Sequence, residues 1–136
     1  KSNGKPYEES LLAVFRELDV PMWELEDWNC CGATSYMSVD ETQAFSLAAR
    51  NLALAEAAES DLFAPCSACY SGAKVTNEMI RSDSALQAEM NRVIAPLEVS
   101  AAIEVKNIIE VLDDLRVALD GRLAAVALRA RPAAAQ

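Results

Sequence analysis

All four cysteines of this 136-residue chain lie in two short pieces, Trp28-Asn29-Cys30-Cys31-Gly32-Ala33 and Pro65-Cys66-Ser67-Ala68-Cys69-Tyr70. The chain has no histidine, so the cysteines are its strongest candidate metal ligands. Adjacent cysteines make a poor disulfide, because neighbouring residues cannot reach the bond geometry without strain. A Cys-x-x-Cys between the end of a strand and the start of a helix is a chelate or redox loop. If the two pieces meet, four sulfurs converge on one point, and the rest of the chain is scaffold for it.

The remaining composition narrows the class. Apolar residues make up 52% of the chain, which is enough for one domain with a real core. A net charge of −9 argues against nucleic acid, whose phosphates call for a basic face. An acidic surface that solvates the protein, or docks a basic partner, fits better. No apolar run is long enough to span a bilayer, and no charged-then-apolar leader indicates export. Paired cysteines in an alanine-rich helical chain point to metal or redox work in a reducing compartment rather than to a secreted disulfide scaffold. A cytoplasmic location is therefore expected, with the alternative of a protein peripheral to a membrane complex.

Read in order, Pro6 suits the first turn of a helix. Tyr7, Leu11, Phe15 and Leu18 recur at helical spacing up to Pro21. Met22, Trp23 and Leu25 read as a short strand running into the Cys30-Cys31 pair. Ser38 and Glu41 have capping-box spacing, and the helix behind them reaches about Glu59 with Phe45, Ala48, Leu52 and Ala55 on one stripe. Residues 61–65 read as a second strand ending at Cys66. A helix from about Cys69 places Val75, Met79, Leu86, Met90 and Val93 inward. Ser82-Asp83-Ser84 is a candidate interruption, and Pro96 ends it or kinks it. A last helix is expected over 103–119, with Val105 on its inner side, then a stop at Gly121 and a third strand over 123–128. Alternating strands and helices predict an α/β fold: a mostly parallel, short-stranded sheet flanked by helices on its faces, helix-rich overall.

The chemistry of the cysteines leaves two metals open. Iron in sulfur clusters is held by thiolates, each iron taking a ligand at its own corner. Gly32 allows the sharp turn that two adjacent ligands need. A helix starting near Cys69 would aim free N–H groups at anionic sulfurs, and Trp28 and Tyr70 flank them. Zinc is the rival, since four thiolates also make a closed structural site. Thioredoxin-like redox is the rival reading of the Cys-x-x-Cys taken alone. Serine nucleophile chemistry is excluded by the absence of a histidine base.

The residues Glu24-Leu25-Glu26-Asp27-Trp28-Asn29-Cys30-Cys31-Gly32-Ala33 resemble the CCG cysteine-rich domain of the heterodisulfide reductase B-subunit family. Leu62-Phe63-Ala64-Pro65-Cys66-Ser67-Ala68-Cys69-Tyr70 fits the same pattern. Thirty-four residues separate Cys31 from Cys66, close to the family's spacing. Gly4-Lys5-Pro6-Tyr7-Glu8-Glu9-Ser10 looks like the family's first helix. The resemblance implies a noncubane 4Fe–4S cluster with Cys30, Cys31, Cys66 and Cys69 as ligands. It implies thiol–disulfide oxidoreduction and electron transfer beside an iron–sulfur carrier subunit and a flavin subunit. The alternatives are a non-catalytic zinc-binding or interaction module and an electron-transfer subunit of a CCG-containing dehydrogenase of the glycolate oxidase or succinate:quinone reductase type.

The family's motif opens with a further cysteine just before a segment like residues 2–7, and this sequence begins after that point. Residues 1–121 are expected to form the CCG-type domain. Residues 122–136 resemble the start of a second one, with 123–128 like its first strand and Arg131-Pro132 like the piece after its first cysteine. One motif alone is not expected to carry out two-cluster disulfide cleavage.

Overall fold

The computed structural model describes residues 4–31 and 39–116. The expected cap residue Ser38, the turn at Gly32, the stop at Gly121 and the third strand over 123–128 lie outside these. The described residues fall into two units: Leu25–Val111, which holds all four cysteines, and a second formed by the N-terminal part up to Glu24 with the C-terminal part from Leu112.

Within the second unit, helix α1 (Lys5–Glu17) carries proline in its first turn and buries Phe15, as the periodicity predicts. The chain after it contradicts the reading of 22–25 as a strand. Residues 20–25 form no ladder, and a turn follows at Glu26 and Asp27. The acids between the apolar residues of this stretch leave it no continuous face to bury, and Trp23 is exposed.

Helix α2 (Glu41–Ala57) is the centre of the larger unit. Its cap is Asp40, whose carboxylate accepts from the Gln43 N–H at 3.0 Å. The helix therefore starts with Glu41 as its first residue, not as the third position of a box begun at Ser38. The stripe Phe45, Ala48, Leu52 and Ala55 is buried as expected. Its alanines let neighbouring elements approach closely.

Strand β1 (Leu62–Phe63) leads to helix α3 (Ser67–Ser82) and then helix α4 (Ser84–Ile94). Asp83 divides the two helices. It ends α3 and caps α4 by accepting from the Ala85 and Leu86 N–H groups at 2.8 and 3.2 Å. The inward face of α3 is Ala73, Thr76, Asn77 and Ile80, and that of α4 is Met90 and Ile94. Met79 and Leu86 pack against this core, whereas Val75 and Val93 are exposed, against expectation. The break at Asp83 resets the helical phase, so one stripe cannot run through both helices.

The helix expected over 103–119 is a strand and a shorter helix. Strand β2 (Val105–Lys106) pairs parallel with β1, Leu62 opposite Val105 and Phe63 opposite Lys106. Val105 is fully buried in the core with Leu52, Ile80, Met90 and Val99. Helix α5 (Ile108–Asp114) begins only after Asn107, which accepts from the Ile109 and Glu110 N–H groups at 2.7 and 3.0 Å. Glu110 returns the bond by accepting from the Asn107 N–H at 2.9 Å. This is a reciprocal capping box, and it stops helix from running back into Val105. The architecture is thus the expected α/β arrangement, helix-rich with a small parallel sheet.

Candidate cysteine site

The second cysteine loop forms as the sequence predicts. Strand β1 ends at Phe63, and Ala64 N–H donates to the Lys106 carbonyl at 2.9 Å. Pro65 then turns the chain, Cys66 becomes the N-cap of α3, and Cys69 sits in its first turn.

The first loop is built differently. With no strand before it, its backbone hangs on α2 through side chains. Asn51 accepts from the Asn29 N–H at 3.0 Å and donates to the Asn29 carbonyl at 2.7 Å. Asn29 in turn donates through Nδ2 to the carbonyls of Leu47 at 3.1 Å and Cys30 at 3.0 Å. Arg50 donates to the Asn29 Oδ1 at 3.0 Å and to the Asp27 carbonyl at 2.6 Å, and pairs with the Asp27 carboxylate. Asp27 has φ of 57°. Aspartate tolerates this left-handed conformation better than most residues do. The Arg50 contacts hold it there.

These two constructions bring the loops together. Cys31 Sγ lies 3.0 Å from Cys69 Sγ across 38 positions of sequence. Cys31 is buried, Cys69 half-buried, and Cys66 and Cys30 exposed. Cys66 makes no close side-chain cap bond. The N–H groups of Cys69 and Ala68 nevertheless face its sulfur and hold its thiol below the ordinary value of 9.0. Burial, and then the neighbouring sulfurs of Cys31 and Cys66, push the Cys69 thiol up to about 12. Cys30 stands outside this group of mutual contacts. Among the described residues, no three of Cys, Asp or Glu are close enough to hold one metal ion.

Of the two flanking aromatics, Trp28 is 46% exposed. Tyr70 packs against the core and donates its hydroxyl to Glu110 Oε1 at 3.1 Å. The α5 capping box is thereby tied to the residue next to Cys69. Sequence reasoning passed over Asp27, Asn29, Arg50 and Asn51. The available signal was Arg50-Asn51 between apolar neighbours within α2, since asparagine gains little inside a helix unless its side chain is used elsewhere.

The sequence profile of the CCG family, described as a cysteine-rich domain, matches residues 1–72, more than half of the chain and all four cysteines. The chain belongs to the CCG cysteine-rich domain family. Relatives with longer chains fit this placement. The CCG chain is 27% identical over 108 residues to the B subunit of the ferredoxin:CoB-CoM heterodisulfide reductase of Methanosarcina mazei, covering 77% of this chain and 36% of that protein. It is 28% identical over 96 residues to a protein of Archaeoglobus profundus that is itself like the heterodisulfide reductase B subunit, covering 70% and 32%. A 60-residue match at 38% identity, covering 44% and 21%, is to the 8-methylmenaquinol:fumarate reductase membrane anchor subunit of Wolinella succinogenes. The CCG chain thus spans roughly a third or less of the length of these relatives. No described helix is long and apolar enough to cross a membrane.

Proposed function

We propose that this CCG domain binds an iron–sulfur cluster through Cys30, Cys31, Cys66 and Cys69, and serves thiol–disulfide oxidoreduction and electron transfer within a larger complex. The observation that carries this reading is the 3.0 Å approach of Cys31 to Cys69 from two separately built loops. The donor set supports it. Burial, and then the neighbouring sulfurs, push the Cys69 thiol up to about 12, and a cationic iron centre would supply the charge that lets such a group bind as thiolate. When bound, such a cluster supplies one-electron chemistry and, at an open position, an iron for a substrate sulfur.

The chain's own contributions are separable. Cys31 and Cys69 provide the inner pair. The N–H groups that open α3 hold the Cys66 thiol below its ordinary value. Cys30, exposed beside Cys31, would complete the set. The two heterodisulfide reductase relatives favour a thiol or disulfide substrate, and the family resemblance implies partner subunits that include an iron–sulfur carrier and a flavin protein. Residues 1–121 then form the CCG domain, with 122–136 leading into a second.

The fumarate reductase anchor relative favours a second reading, a pure electron-transfer domain in a membrane-associated dehydrogenase. Anaerobically prepared protein separates the two. Adding a small thiol to the oxidised protein changes its EPR spectrum if substrate sulfur reaches iron, and leaves the spectrum unchanged if the domain only relays electrons. Stoichiometric zinc without iron would remove both.

A further inference from the structure

We infer that Asn51 and Arg50 are positioning residues for the Cys30–Cys31 loop, a role that rests on the proposed ligand set and deepens it. The loop has no strand to fix its register. Its backbone groups at Asn29 are instead satisfied as a neighbouring strand would satisfy them, N–H to an acceptor and carbonyl to a donor, by one side chain. A side-chain amide offers a donor and an acceptor at once, on two separate atoms. Asn51 belongs to α2, whose neighbours Ala49, Leu52 and Ala53 are fully buried in the core. The loop is therefore referenced to a helix seated in the core.

Arg50 adds the second anchor two residues earlier. Its planar, multi-donor head binds the Asp27 carbonyl, the Asp27 carboxylate and the Asn29 Oδ1 together. A lysine, with one compact ammonium, cannot reproduce that fork. The Asn29 amide completes the arrangement by bridging the Leu47 and Cys30 carbonyls. Two side chains of α2 thus set where Cys31 stands relative to Cys69, and neither touches a sulfur. The consequence is a division of labour: α3 places Cys66 and Cys69, and α2 places Cys30 and Cys31.

The test needs no metal. In metal-free reduced protein, diamide takes up two electrons and two protons as two thiols form one S–S bond. Peptide mapping then gives the ratio of the Cys31–Cys69 linkage to the Cys66–Cys69 linkage. Both partners of the second linkage belong to the start of α3, so it serves as an internal control for thiol reactivity. In Asn51→Leu the ratio is expected to fall about tenfold or more, the loss expected when two hydrogen bonds holding one conformation are removed. Arg50→Lys is expected to lower it to a smaller degree, and Asn51→Gln to restore part of it. A merely stabilising role would lower the melting temperature and leave the ratio unchanged below the melt. A wild-type ratio in folded Asn51→Leu overturns the inference, as does a wild-type ratio in Arg50→Lys should Asn51→Leu not fold. Failure of the protein to load iron bears on the proposed cluster alone and leaves this result standing.

Discussion

Cys31 Sγ and Cys69 Sγ lie 3.0 Å apart, one on a loop held to α2 by side chains, the other in the first turn of α3. Neither residue's local sequence demands the other, so their meeting is a property of the tertiary fold. Replacing either by serine removes an inner ligand of the proposed cluster. Cys31→Ser and Cys69→Ser are each expected to weaken metal binding by more than the roughly 10–100-fold typical of residues that only support ligands. Iron content after anaerobic gel filtration measures this.

The thiols of metal-free protein are expected to differ in reactivity. Cys66 is held below 9.0 by the N–H groups of Cys69 and Ala68, and Cys69 is pushed up to about 12 by burial and its sulfur neighbours. Iodoacetamide should label Cys66 before Cys69 at neutral pH, read by mass spectrometry over time. The linkage signs are opposite. The depressed thiol at Cys66 contributes stability above 9.0 that is lost as pH falls through its folded value. The raised thiol at Cys69 contributes stability below 9.0 that is lost as pH rises toward about 12.

Core packing gives a contrast within the larger unit. Leu52 is fully buried and Val75 is 46% exposed. Leu52→Ala is expected to cost about 2–5 kcal/mol, and Val75→Ala to stay within about 0.5 kcal/mol. Urea unfolding of the two variants checks this, and equal costs would contradict the placement of α3.

The capping box of α5 gives an acid-side prediction. Asn107→Ala is expected to cost about 1 kcal/mol. The Asn107 N–H, followed by Tyr70 and two lysines, holds the Glu110 carboxyl below its usual range. Its contribution is present above the unfolded carboxylate value and is lost as pH falls through the folded one. The melting-temperature gap between wild type and Glu110→Gln should therefore shrink on going from neutral to acid pH.

The elements that carry a local signal were legible in the sequence. Proline opens α1, the alanine stripe of α2 faces the core, and β1 delivers Cys66 to α3. The class of fold followed from these. What escaped depends on contacts between distant residues or on competing local rules. Val105 fits a helical stripe with Ile108 and Ile109 as well as it fits a strand, and the Asn107-x-x-Glu110 box decides between them. The stretch before Cys30 reads as a strand from its apolar residues Met22, Trp23 and Leu25. Its hydrogen-bond partners come instead from Asn51 and Arg50, which only the packed helix brings near.

The shared cysteine site is tested most directly by metal and sulfide analysis of protein purified without oxygen, paired with EPR of the same sample. A brown protein with near-stoichiometric iron and acid-labile sulfide, a paramagnetic signal, and loss of all three in Cys69→Ser is the predicted result. A colourless protein that holds zinc or no metal under those conditions, with no paramagnetic signal, would contradict it.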